Sequence, residues 1–166
     1  MARITVNTTG TQPTLLVSTD LISNSANWGN IANNLSVTCL QDVTITNSTG
    51  VYTYTDFCDT DTRKLTTPAD NEISTNVVID NLGFFGNANA TAGSSTFYGV
   101  SGLSLTKTPV QFKVIMNGNN SSNGAYWYAG QGFISSLAPT VSPDAPVWVS
   151  PVTIAVDGKM ATGQNP

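Results

Sequence analysis

Two stretches of this chain hold apolar and polar side chains on opposite parities, which commits them to half-buried strands rather than helices. In residues 35–46 the apolar side chains fall mainly on odd positions (Leu35, Val37, Cys39, Val43, Ile45), and Ser36, Thr38, Asp42, Thr44 and Thr46 take the other face. Leu40 and Gln41 break the pattern. In residues 72–80 the odd face is Ile73, Thr75, Val77 and Ile79, while the even face carries Glu72, Ser74, Asn76 and Asp80, interrupted by Val78. Each strand would turn a dry face to a core and a face of hydroxyls and carboxylates to water. A sheet of that kind can line a passage.

Around these two strands the chain is read as sheet and turn. Residues 2–9, with Ile4 and Val6 alternating, and 14–18 are expected to be short strands. Trp28, beside Gly29 in an Asn-rich connector, is expected to anchor that loop to the core. The tetrapeptide Asn47, Ser48, Thr49, Gly50 reads as a turn joining 35–46 to 51–57 in an antiparallel hairpin. Residues 56–71 lack strand periodicity and hold a dense charge cluster, so they are expected to form a long functional loop. Residues 81–109 are punctuated by glycines, with one short helix near 94–98. Strands are expected again at 110–117, 125–135 and 146–157, and residues 159–166 are expected to be a polar tail, frayed or held by a neighbouring subunit. Many short strands and almost no helical period give an all-β sandwich or barrel, and a chain of 166 residues gives one domain over 1–166.

Composition narrows the function. Charged residues are 10% of the chain and the net charge is −4, so no basic surface is available to grip nucleic acid through its phosphates. An acidic wall would instead let a polyanion slide past. The N-terminal residues contain no apolar core of a signal peptide, and no apolar run approaches a membrane span, so assembly in the cytoplasm and no membrane partner are expected. Cys39 is expected to be a buried, reduced thiol on the apolar face of its strand, with a Cys39–Cys58 bridge as the alternative.

The chain has no histidine, which removes the usual general base and every Ser-His-Asp or Cys-His arrangement. Asp56, Asp59 and Asp61 resemble oxygen ligands for calcium, but the glycine and distal Glu of an EF-hand loop are missing and Arg63 and Lys64 follow at once. No phosphate-cradling glycine loop occurs either. The chain is therefore read as no enzyme, with no cofactor and no metal. Tyr126, Trp127 and Tyr128 offer a stacking platform for sugars, set against ordinary cross-strand packing of aromatics.

The order of motifs resembles the tail tube proteins of long-tailed, non-contractile, lambda-like bacteriophages. The resemblance is carried by Trp28-Gly29-Asn30-Ile31, by residues 37–44 (Val-Thr-Cys-Leu-Gln-Asp-Val-Thr), by Tyr54-Thr55-Asp56-Phe57-Cys58, by the charged loop 59–65, by the strand at 72–80, and by a closing pair of segments, 132–137 and 147–158. It implies a β-sandwich or barrel with a flanking helix, six subunits closing into a ring, and rings stacking into a hollow tube in the virion tail. By position, Asp59, Asp61, Arg63, Lys64 and Asp70 match the loop that reaches the next ring. Asp42, Glu72 and Asp80 are the candidates for an acidic lumen wall, through which DNA passes without specific binding. The implied partners are further copies of the chain, the tape measure, the tail terminator and the distal tail protein. Alternatives are a capsid decoration or fibre domain, or a carbohydrate-binding sandwich using Tyr126, Trp127 and Tyr128.

Overall fold

The computed structural model describes residues 12–24, 27–55, 61–118, 123–145 and 147–165; the strand expected at 2–9 and Cys58 lie outside them. The apolar parities of the sequence become eight strands and one helix. In chain order these are β1 (Thr14–Ser18), β2 (Leu35–Val37), β3 (Leu40–Thr55), β4 (Thr62–Val78), α1 (Ser95–Thr106), β5 (Val110–Ile115), β6 (Tyr126–Leu137), β7 (Val149–Val156) and β8 (Ala161–Gln164). The strands form one antiparallel sheet in the order β2-β1-β5-β6-β7-β4-β3, with β8 added to β6. The all-β class expected from the alternation is the class observed.

The sheet rolls upon itself because β2 and β3 occupy its opposite ends yet are joined by Thr38 and Cys39 alone. Three Cα steps span about 11 Å at most, so the two edges must meet. Residues from across the strand order accordingly share one core: Leu15 and Val17 of β1, Val37 of β2, Ile73 and Val77 of β4, Phe112 and Val114 of β5, and Ile154 of β7, with Val100 and Leu103 of α1 packed among them. Complete burial of one such side chain is worth about 1.5–3 kcal/mol. The opposite face of β1 and β5 builds a second, smaller core from Leu16, Ile31, Ile115 and Ala125, with Trp127 against it. Trp28 is buried and its indole N–H donates to Ile22 O at 2.8 Å, anchoring the connector as expected.

The strand expected over 35–46 is two strands. Cys39 takes a left-handed φ of 62° at the crossing and is exposed, with a free thiol, rather than buried on the apolar face. The pairing of β3 with β4 then shifts register between Leu40 and Asp42, so Leu40 enters the core while Val43 and Ile45 keep their inward parity. The break in alternation at Leu40 and Gln41 is thus a bulge, which inserts a residue and resets the parity.

A second register shift corrects the hairpin expected around residues 47–50. β3 continues straight through them, and the irregularity between Thr49 and Val51 places Gly50 against Thr67 and Pro68 of β4. A Cβ at Gly50 would run into Thr67 Oγ1, and Pro68, which has no N–H for the ladder, sits where the ladder is already interrupted. The residues that imitate a turn are those a bulge needs. The charged segment 56–71 is likewise mostly strand: from Thr62 onward it is paired with β3.

The C-terminal residues also depart from expectation. They form β8 on β6 of the same chain, and Asn165 N donates to Ala125 O at 2.9 Å. Lys113, on the parity of β5 opposite Phe112 and Val114, is buried because the loop at Gly29, the Trp127 ring and Asn165 lie over that face. Its Nζ donates to Gly29 O at 2.7 Å and Asn165 Oδ1 at 3.0 Å, and stands 5.3 Å from the Trp127 ring centre. Burial pushes its pKa below the ordinary 10.5, because desolvation penalises the charged form. These bonds tie the Trp28 loop and the last strand to the middle of the sheet.

The helix is longer than the 94–98 expected and is kinked at Gly99, where φ is 63°. Ser94 caps it, accepting a hydrogen bond from Phe97 N at 3.2 Å. The amides released by the kink are met by the preceding turn: Val100 N donates to Gly83 O and Ser101 N to Phe84 O. That turn lies so close that a Cβ on Gly99 would collide with the backbone of Gly86, Phe84 and Phe85. Gly99→Ala is therefore expected to cost about 2–5 kcal/mol, the sum of a left-handed alanine and an overpacked contact. Gly93, also left-handed but with open space around it, should cost only about 1–2 kcal/mol when changed to Ala. Urea denaturation of both variants checks the contrast, and equal losses would show that the close approach is unimportant.

Candidate assembly surfaces

Only the inner half of the β3–β4 hairpin belongs to the body of the sheet. Glu72 to Val77 of β4 lie between β7 on one side and β3 on the other, whereas Thr62 to Asp70 pair with β3 alone. Beyond Asn71 the hairpin therefore leaves the fold as a two-stranded ribbon, about 30 Å long at the usual rise per residue. Asn71 marks the point of departure: it is buried, and its Nδ2 donates to Gly158 O at 3.1 Å.

The inner half carries the wet face read from the sequence. Register places Asp42 opposite Asn76, Thr44 opposite Ser74 and Thr46 opposite Glu72, so the two carboxylates share a face two rungs apart. Asp42 is held there by hydrogen bonds from Asn76 N at 2.8 Å and Asn76 Nδ2 at 2.7 Å. The face continues onto β7 through Pro151, Thr153 and Ala155. None of these residues is a cation. Asp80 does not join them, because β4 ends at Val78 and the Asp80 carboxylate accepts from Phe84 N at 2.9 Å, closing the turn that follows.

The ribbon holds the other charged candidates. Arg63 lies opposite Tyr54, Lys64 opposite Thr53, and Asp70 opposite Ser48, whose hydroxyl donates to Asp70 O at 2.6 Å. Asp61 immediately precedes β4, and Asp59 lies outside the described residues. Two faces result. One presents Lys64 and Thr66 with Val51 and Thr53; the other presents Tyr52, Tyr54, Arg63 and Leu65, with the two tyrosine rings stacked 6.3 Å apart. Val51, Tyr52 and Leu65 are each more than half exposed. The charge-based reading singled out Arg63 and Lys64 and passed over this apolar ladder. Its signal was present in the spacing of Tyr52 and Tyr54, once 62–65 is seen as their partner strand.

An isolated two-stranded ribbon is at best marginally stable in water, and apolar side chains exposed along one invite a partner surface. Among the described residues, no three Asp, Glu or Cys side chains gather to hold a metal ion. The three consecutive aromatics do not make one platform. Trp127 packs on Gly29 and Gly163, whereas Tyr126 and Tyr128, on the opposite parity, face the other side of β6.

The same fold recurs in chains of a gene transfer agent particle and of extracellular contractile injection systems. A chain from the tail of an empty gene transfer agent particle, a tail with sixfold symmetry, superposes with a TM-score of 0.57 at 15% identity, covering 90% of this chain and 95% of that one. A chain from the sheath–tube complex of an extracellular contractile injection system in its extended state gives 0.56 at 11% identity, covering 92% and 88%. A chain from the sheath/tube terminator of such a system gives 0.57 at 10%, covering 98% and 99%. The likeness is one of fold. No family model matches the sequence, and no curated protein matches it.

If the ribbon awaits a partner, its amides should be the least protected part of the sheet in the isolated subunit. Hydrogen exchange is expected to be faster at 47–55 and 62–70 than at Ile73, Thr75 and Val77, and to slow in any assembled form. Uniform protection along the whole hairpin of the monomer would show that the ribbon needs no partner.

Proposed function

We propose that this chain is the structural subunit of a phage-tail-like tube. Six copies close into a ring, rings stack through the β3–β4 ribbon, and the tube conducts DNA past an acidic inner wall in the virion tail. The observation that carries the reading is the ribbon itself: a hairpin leaving a tail-type fold with Val51, Tyr52 and Leu65 exposed along it and Tyr54 half-buried beside Tyr52. Rings made by heterologous contacts close without leaving free sheet edges, which also accounts for the open edge of β3. The contractile-system neighbours leave a second device in view, an injection tube with the same subunit fold, and the cargo then need not be DNA.

Negative-stain images of the purified protein are expected to show rings or hollow filaments. The double charge reversal Arg63→Glu, Lys64→Glu should shorten or abolish stacks while leaving the subunit's melting within about 0.5 kcal/mol of native, since both residues stand on the exposed ribbon. A protein that stays monomeric at high concentration would contradict the assembly reading.

The wall is tested separately. Asp42 and Glu72 are assigned to the lumen because their face carries carboxylates and amides with no cation, a surface that phosphates do not adhere to. Asp42→Lys with Glu72→Lys should leave tubes intact but retard DNA release in a salt-dependent manner. Release at the native rate from intact tubes would place that face elsewhere.

A further inference from the structure

A tube that stacks through the β3–β4 ribbon is held by open, head-to-tail contacts, so the surface that receives the ribbon must stand at the other end of the subunit. β4 identifies that end. It runs from the ribbon through the body of the sheet to Val78, which pairs with Val149, and the next amide, Ile79 N, donates to Trp148 O at 2.9 Å. From Leu65 to Val78 the strand covers about 43 Å at the usual rise per residue. The connector between β6 and β7 lies beside its far end, and it leaves apolar surface in water: Val141 is 57% exposed, Val147 49% and Trp148 47%. Its backbone is nevertheless held. Ala138 N donates to Pro151 O, Thr140 N to Val149 O at 2.9 Å and Ala145 N to Ser142 O at 3.2 Å, while Pro139 and Pro143 narrow the choice of φ. A partner meets a pre-shaped surface, so docking costs little ordering entropy.

The ribbon complements this surface in charge as well as in apolar character. Its exposed Val51, Tyr52 and Leu65 lie among Arg63 and Lys64, the only charged residues in 62–69, whereas residues 138–148 carry one charge, the exposed Asp144. A ribbon packed on a second ribbon would instead set cation against cation. The cleft walled by Met116, Tyr126 and Tyr128 is also apolar, but it stands at the wrong end. The Gly132–Val156 rung adjoins the Glu72–Ala155 rung, and from there β6 runs back to Tyr126 in the direction in which β4 runs out into the ribbon. In a head-to-tail stack that cleft faces the same way as the ribbon and cannot receive one.

Resting on the stacking reading above, we propose that the ribbon's Val51, Tyr52 and Leu65 seat on Val141, Val147 and Trp148 of a second copy of this chain, with Asp144 of that copy facing the ribbon's cations. The test places Leu65→Cys and Val147→Cys in the full chain with Cys39→Ser and Cys58→Ser, and treats assembled tubes with a short bis-maleimide. The length of β4 separates the two sites within one subunit, so the linker joins only different copies. A ladder of dimers, trimers and longer products is expected on a denaturing gel. Tubes without the ladder overturn the inference, as does a ladder when Tyr126→Cys replaces Val147→Cys, or dimers from Leu65→Cys alone, the mark of ribbon on ribbon. Val147→Ser with Trp148→Ser supplies the second reading: stacks should shorten several-fold while single rings and the far-UV circular dichroism are kept, and stacks of native length overturn the inference. A parent chain that forms no tubes at all fails the stacking reading, and this inference falls with it.

Discussion

The structure depends on a tie of two residues. Thr38 and Cys39 join the strand at one end of the sheet order to the strand at the other, and no arrangement of an open, flat sheet satisfies that connection. The sheet must roll, and rolling places β1, β2, β4, β5 and β7 side chains in a single core. The left-handed backbone at Cys39 is what the tight crossing demands; a non-glycine residue holds that conformation only because the packing around it fixes the chain on both sides. Val78 N, donating to Cys39 O, secures the crossing to the end of β4.

Because β3 is the last strand in the order, one of its edges has no partner within the described chain. The inner half is nevertheless rigid, since β4 beside it is held by β7 and by the buried Ile73 and Val77. The outer half has no such support. The hairpin thus passes from a strand pair anchored in a core to a ribbon held by its own ladder alone, and the transition falls at Asn71, with the Gly50 and Pro68 bulge just beyond it. A bulge increases local twist, so it also sets the direction in which the ribbon leaves.

How far the sequence was legible follows the same division. Where a strand buries one face, parity is a physical requirement, and Ile73, Thr75, Val77 and the β7 residues Val152 and Ile154 were readable from it. Where a bulge intervenes, parity resets without any change in composition, so Leu40 looked like an exception and residues 47–50 looked like a turn. Glycine serves a turn and a bulge alike. In the ribbon neither face is buried by the chain itself, so no alternation was imposed on 62–70, and a paired strand passed for a loop. Lys113 was invisible for the opposite reason: the main core covers one face of β5 and a connector loop with the C-terminal segment covers the other, and the loop carbonyl and amide that accept its ammonium hydrogen bonds come from residues far away in sequence. Asp80 followed strand parity in the sequence and turn chemistry in the fold.

Chains that share as little as 10–15% of their residues with this one share its fold, and the features that fix the roll explain how. The core asks only for apolar side chains at alternating positions and a short crossing between the edge strands, conditions many sequences meet. The wet face and the ribbon are under no such constraint from folding, so their residues are free to follow what the surfaces must contact. Asp42 and Glu72 contribute little to holding the sheet together, and Tyr52, Tyr54 and Leu65 nothing to its core. Side chains that a fold does not require, yet that form one continuous ladder along an unsupported ribbon, are most economically explained by a partner that requires them.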